Sequence, residues 1–273
     1  MLKTFQEKAF KTSLKRLNNT ERQLAQIYKG SLTDLRNKLL VLSEKIESKT
    51  MTDSDLYKYN RLSKMYENTM VAMKDISKQT YDIIKKSNKD VAKIAYEGSR
   101  IAYNKVAGID IGRIDTESLR KMVEFSYPEV PFKDFVNKLG ANGITRLKQT
   151  LGAGLAQGES IPKISARLKD ALNITFNDAV RIARTEALRA NSEAMVDATE
   201  KAKENGIKIK KVWQHNILSQ YARESHIALD GVEEDKDGLF WSNGLSAPAP
   251  RMFNDAGEDI NCGCSYIEEI IED

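Results

Sequence analysis

Cys262, Cys264, His215 and His226 can ligate a soft metal or exchange protons near neutral pH, and they are all the cysteines and histidines in a chain of 273 residues. Two thiolates and two imidazoles make the donor set of a tetrahedral structural zinc site. The spacing is unusual for one, because only Gly263 separates the cysteines, whereas paired zinc cysteines ordinarily stand about two to four residues apart. In an extended run, residues two apart face the same side, so Cys262 and Cys264 on a strand would present both thiols to one point. A disulfide between them would close a strained ring, since Cα atoms two apart on a strand lie roughly 6.5–7 Å from each other. Two readings stay open: structural zinc on His226, Cys262 and Cys264, with His215 as a further candidate ligand, or a reduced, buried pair without metal.

Other chemistry finds little support. The chain has no His-Glu-x-x-His pattern, no glycine-rich phosphate loop and no nucleophile elbow, the motifs that carry metalloprotease, nucleotide and hydrolase chemistry. The run Glu233-Glu234-Asp235 reads as a solvated acidic stretch. No catalytic residue and no organic cofactor is assigned. With 41% hydrophobic and 30% charged residues the expectation is a soluble globular protein of one or two domains. Two cysteines are too few for a disulfide scaffold. No apolar run reaches the length of about 18 residues that a membrane span needs. The start, Met1-Leu2-Lys3-Thr4-Phe5, lacks the apolar core of a secretory signal, which places the chain in a cytoplasm.

The elements that must position these side chains change character along the chain. Phe10, Leu14, Leu17, Leu24, Tyr28, Leu35, Leu39 and Ile46 recur at steps of three and four, one helical stripe softened at Gly30. Thr52 or Asp53 supplies an N-cap, and Leu56, Leu62, Tyr66, Met70, Met73, Ile84, Val91 and Ile94 form a second stripe. Two long helices joined by a short polar turn predict an antiparallel hairpin over 1–106. After the break at Ala107-Gly108, a region of shorter helices spans 107–150. One opens at Asp115 or Thr116, one at Pro131, and Ala141-Asn142-Gly143 separates the next. A short helix over 165–171 and a long one capped by Asn177 and stopped at Asn205-Gly206 follow. Alternation in Ile207–His215 and again in Ile260–Ile271 predicts strands around a turn-rich stretch. The fold class is α+β: a long N-terminal helical hairpin and further helices, then a small C-terminal α+β module within 151–273.

Charge is distributed unevenly. Residues 1–106 carry 22 Lys+Arg against 12 Asp+Glu, residues 107–273 carry 21 against 27, and residues 224–273 carry 2 against 13. A basic front and an acidic tail suit either solvated helix faces or a surface for polyanions.

A wider set of residues carries a resemblance. Arg181-Ile-Ala-Arg184-Thr185-Glu186-Ala, Trp213, Arg223-Glu-Ser-His226-Ile-Ala-Leu-Asp230-Gly231, Phe240, Pro248 to Pro250 and Ile260-Asn261-Cys262-Gly263-Cys264 stand in order. Over about residues 150–266 this resembles the phage head-morphogenesis, or minor head, family of the Mu F-like and Gram-positive siphophage type. Gly263 stands where the family usually has Arg, and the Asp that often precedes its Arg-x-Ser-His segment has no counterpart in Ile217–Ala222. The resemblance singles out Arg184, Thr185, Glu186, Trp213, Arg223, His226, Asp230, Gly231, Asn261 and the two cysteines, in architectural roles. It implies a low-copy structural protein of a tailed bacteriophage, associated with the portal and inner capsid and assisting head assembly and DNA packaging or delivery. The implied partners are the portal protein, scaffold or major capsid protein, and non-specific duplex DNA through residues 1–106, with no membrane. The implied location is the virion interior near the portal, and the host cytoplasm during assembly. Two alternatives stand beside it: an ADP-ribosyltransferase-like or other toxin-type enzyme, and a zinc-stabilised DNA-binding adaptor.

Overall fold

The computed structural model describes residues 2–47, 54–126, 130–157, 159–216 and 222–271. The chain runs α1 (Leu2–Glu47), α2 (Ser54–Ala107), α3 (Thr116–Glu124), β1 (Phe125–Ser126), β2 (Val130–Pro131), α4 (Phe132–Ala156), α5 (Ile161–Glu204), β3 (Ile209–Gln214), α6 (Glu224–Ala228), β4 (Phe240–Ser242), β5 (Leu245–Ala247), α7 (Ala256–Asp259) and β6 (Ser265–Ile270). Long helices followed by short antiparallel strands make it the α+β fold expected. The chain forms two compact units. One holds residues 1–20, 84–132 and 181–273, the other 21–83 and 133–180.

In the first unit α1 and α2 run antiparallel: Thr20 meets Ser87, Arg16 meets Asp90, and Ala9 faces Gly98. Leu17, Val91, Ala187 and Leu188 form one buried cluster with Phe10 and Leu14 against it. A larger core gathers alanines of α2 and α5 around Tyr96, Tyr103, Trp213, Phe240 and Tyr266, the close helix packing that so many alanines anticipate. In the second unit Leu24, Tyr28, Leu35 and Met73 of the two stripes are buried, and the Tyr28 ring meets Phe176 edge-on at 5.6 Å. The expectations for Leu39, Ile46, Leu56 and Leu62 side chains and for a Thr52 or Asp53 cap lie outside the described residues.

Punctuation is as the sequence suggests at several points. Asp115 caps α3, accepting from Ser118 N at 2.7 Å. Gly206, at φ 87, ends α5 in a Schellman motif, with Ile207 N donating to Ala202 O and Gly206 N to Lys203 O. Two expected breaks do not occur. Helix α4 continues through Ala141-Asn142-Gly143, because Gly143 is there for contact: a Cβ on it would stand 2.4 Å from Met73 Cε and 3.1 Å from Thr175 Cγ2. Helix α5 is one helix of 44 residues, so no separate helix ends at Ala171 and Asn177 caps nothing. Between Pro162 and Gly206 there is neither proline nor glycine, and cap-forming side chains alone do not stop a helix. Gly30 likewise sits inside an unbroken α1.

The C-terminal module hangs on β3, which pairs antiparallel with β6 from Ile209↔Ile270 to Gln214↔Ser265. Strands β4 and β5 form a hairpin closed by Asn243 (φ 49) and Gly244 (φ 79), the Asn-Gly pair of a two-residue turn.

Candidate functional site

Trp213, 0% exposed at the end of β3, is the floor of the site. His226 of α6 stands edge-on to it at 5.3 Å and stacks on Phe253 at 5.9 Å. Its Nε2 lies 2.6 Å from Glu258 Oε2 on α7. Glu258 accepts as well from Ser242 Oγ at 2.9 Å and, through Oε1, from the turn residue Asn243 Nδ2 at 2.8 Å. The other ring nitrogen, Nδ1, faces both thiols: Cys262 Sγ at 3.5 Å and Cys264 Sγ at 3.9 Å. His215, just beyond β3, brings its Nδ1 to 3.9 Å from Cys264 Sγ. Donor atoms of His226, Cys262 and Cys264 all lie within 4.8 Å of one another, and all three residues are buried.

The cysteines are not on a strand, as their spacing suggested; they precede β6, whose ladder begins at Ser265. Their carbonyls serve another partner. Arg251, 1% exposed, donates through Nη1 to Cys262 O at 3.0 Å and to Cys264 O, and through Nη2 to Ser192 Oγ of α5 at 2.7 Å. Asn261, at φ 59, turns the chain into this segment, and its N–H donates to Thr185 Oγ1 at 3.3 Å.

The remaining singled-out residues frame the same place. Arg223 Nη2 donates to Ile260 O at 2.6 Å, fastening α6 to the residue before the cysteine segment. Asp230 Oδ1 accepts from His215 N at 2.8 Å, and Gly231, at φ 77, donates to Trp213 O. Glu186 is buried and accepts from Arg189 Nε at 3.0 Å within α5; Arg189 also reaches Glu193 at 2.5 Å and Met122 O at 2.9 Å. Arg184 is exposed on the same helix.

Electrostatics inside the site are strongly coupled. The hydrogen bond from Cys264 holds the Cys262 thiol well below its usual range against the opposing effect of burial, and His226 and Arg251 add to it. Cys264 is pushed up by the same bond and by burial. Burial disfavours the His226 cation, yet contacts with Cys262 and Glu258 leave its pKa raised. This arrangement can accept a thiophilic cation or persist as a thiol–imidazole cluster. It is no open nucleophile, because Cys262, Cys264 and His226 are each 3% exposed or less.

Two partners escaped the sequence reading. Glu258 lay hidden in the acidic tail, and Arg251 in a loop. Arg251 did leave a signal, being one of two basic residues among the last fifty.

Comparison with known proteins adds relatives. Residues 145–267 match the family described as Phage Mu protein F like protein. The chain is 30% identical over 253 residues to a protein of Enterococcus faecalis named NAD(+)–arginine ADP-ribosyltransferase EFV, an alignment covering 92% of this chain and 51% of that protein. It thus spans about half the length of that relative. It is 23% identical over 259 residues to the minor head protein GP7 of Bacillus phage SPP1, covering 92% of this chain and 82% of that protein. No solved structure matches.

Proposed function

From the match of residues 145–267 to the Phage Mu protein F like family and the similarity to a phage minor head protein, we propose that the chain is a minor head protein of a tailed phage, a low-copy structural component sited inside the capsid near the portal. In this role it assists head assembly and DNA packaging or delivery. Its partners are the portal protein, with scaffold or major capsid protein as further contacts, and duplex DNA bound without sequence preference through residues 1–106. Within the described residues no helix is long and apolar enough to cross a membrane.

One observation carries the reading. A phage head protein and a protein named as a transferase each align over 92% of this chain, but the head protein is covered to 82% of its length and the transferase only to 51%. What this chain has in common with both is thus the greater part of a head protein and about half of the transferase. About half of the transferase-named protein has no counterpart here. The geometry supports a structural role: Glu186 is buried and paired within its own helix, and the thiols are closed off from substrate.

The test is quantitative mass spectrometry of procapsids and virions purified from cells producing this chain. A few copies per particle are expected, and absence from both particle types would overturn the assignment. A companion assay with NAD+ and an arginine-rich acceptor is expected to stay at background. Turnover that disappears in Glu186→Gln or Arg184→Ala would move the protein to the enzyme class.

A further inference from the structure

The thiol–imidazole cluster has donor atoms spaced as those of a metal centre are. A tetrahedral zinc ion at about 2.3 Å from sulfur and 2.0–2.1 Å from nitrogen sets its S···N ligand pairs about 3.6 Å apart. His226 Nδ1 stands 3.5 Å from Cys262 Sγ and 3.9 Å from Cys264 Sγ, and His215 Nδ1 stands 3.9 Å from Cys264 Sγ. Hydrogen bonding alone fits this pattern poorly. His226 Nδ1 has one in-plane lone pair, or one proton, yet two sulfur atoms lie on its side, and a single point between all three atoms uses that lone pair better than either sulfur does.

The surroundings add an independent observation. His226 Nε2 is held at 2.6 Å by the Glu258 carboxylate, which fixes the tautomer with the proton on Nε2 and leaves Nδ1 as a bare donor toward the thiols. A carboxylate behind a ligating histidine is the usual outer partner of a protein zinc ion. Glu258 is itself pinned by Ser242 and Asn243. Arg251 grips the carbonyls of both cysteines, so the two sulfurs are held from the backbone side. With a divalent ion and two thiolates, the formal charges of the ion, Cys262, Cys264, Glu258 and Arg251 cancel.

We propose that Cys262, Cys264 and His226 bind one structural zinc ion, with His215, whose Nδ1 lies 3.9 Å from Cys264 Sγ, closing onto it as the fourth ligand and Glu258 positioning His226 from behind. The ion joins the end of β3, α6 and the segment leading into β6. Those pieces have little else regular to hold them, since α6 has five residues, α7 four, and β4 and β5 three each. A rival reading treats Cys262, His226 and Glu258 as a nucleophile, base and orienting acid, which such a row of side chains resembles. Burial of Cys262 at 2% and His226 at 1% leaves no approach for a substrate.

The experiment uses the full chain, reduced and purified without added metal. About one zinc per chain is expected by elemental analysis. After chelation, cobalt(II) should restore the ligand-field bands of a tetrahedral site together with thiolate-to-cobalt charge transfer, and chelation should lower the melting temperature. Glu258→Gln should keep the circular dichroism of the parent and weaken metal affinity about 10- to 100-fold. Cys264→Ser should lose part of the charge-transfer intensity. A folded, reduced parent chain that takes up neither zinc nor cobalt at micromolar concentration would overturn the proposal, whatever the variants do. So would metal uptake that Cys262→Ser and Cys264→Ser leave unchanged.

Discussion

At the scale of single residues, the module depends on a buried cation held by backbone carbonyls and a hydroxyl. Arg251 stands in left-handed backbone at φ 68 and spends its guanidinium on two carbonyls and a hydroxyl. Burial lowers its pKa, with the two cysteines and Asp259 opposing. Replacing it by methionine keeps much of the volume and removes every donor, leaving Cys262 O, Cys264 O and Ser192 Oγ buried with a partner lost. Each such loss costs about 1–3 kcal/mol, so Arg251→Met should destabilise the fold by about 3–5 kcal/mol in urea denaturation. A change below about 1 kcal/mol would mean that water takes over the guanidinium's role. This is also where legibility in the sequence divides. Cysteine and histidine are scarce here and chemically distinctive, so Cys262, Cys264, His226 and His215 could be picked out in advance. Arg251 acts on backbone carbonyls, which have no sequence signature, and Glu258 was one carboxylate among many.

At the scale of elements, identical residue types have opposite consequences according to what faces them. A Cβ on Gly98 of α2 would meet Ala9 Cβ of α1 at 2.4 Å, whereas one on Gly30 of α1 meets nothing within 4 Å. Alanine is worth about 1 kcal/mol over glycine inside a helix, but overpacking costs about 1–3 kcal/mol. Gly30→Ala should therefore raise stability by about 0.5–1 kcal/mol and Gly98→Ala lower it, and the two midpoints shifting in the same direction would refute the contact. A second device ties elements together. Glu268 of β6 is 1% exposed and meets Gln6 of α1, Tyr103 of α2 and Thr199 of α5. The Thr199 hydroxyl, the donor to Glu268 Oε1, also lies 2.8 Å from Met195 O, so its single proton is divided between two acceptors. Burial raises the Glu268 pKa, with Thr199, Tyr103, Gln6 and Lys211 opposing; Tyr266 is the other ionisable ring nearby. A carboxyl raised on folding stabilises fully below its unfolded pKa of about 4.3, and that contribution is lost as pH rises through the folded value. Glu268→Gln should hence flatten the decline of melting temperature from pH 4.5 upward relative to the parent, and parallel curves would sink the assignment. The hairpin, α3, the Gly206 stop and β3 were all readable from periodicity and caps. The continuity of α4 and α5 was not, because whether Gly143 breaks a helix or admits Met73 depends on a residue seventy positions away.

At the scale of the whole molecule, the uneven charge is a statement about partners. The last fifty residues look acidic enough to be solvent-facing, yet Glu258 and Glu268 are buried and Glu233 and Glu234 pair with Lys210 and Lys211, so part of that charge is spent internally. The basic residues of the hairpin are placed differently. Lys8, Lys11 and Lys15 recur on one exposed face of α1, and Lys86, Lys89 and Lys93 on one of α2. Such ladders suit a phosphate backbone, to which each contacting lysine contributes about 0.9 to the slope of log affinity against log salt. If residues 1–106 carry the proposed DNA contact, the full chain should bind duplexes of any sequence with similar affinity and lose that affinity steeply with salt. Changing Lys8, Lys11 and Lys15 to glutamine should then lower the slope by up to about 3, without altering the melting temperature by more than a degree or two, because all three side chains are exposed. An unchanged slope would remove α1 from the interface, and a preference for one sequence would point to a DNA-binding adaptor. A fall in slope together with an intact fold would assign the basic front of this chain to the proposed contact with packaged DNA.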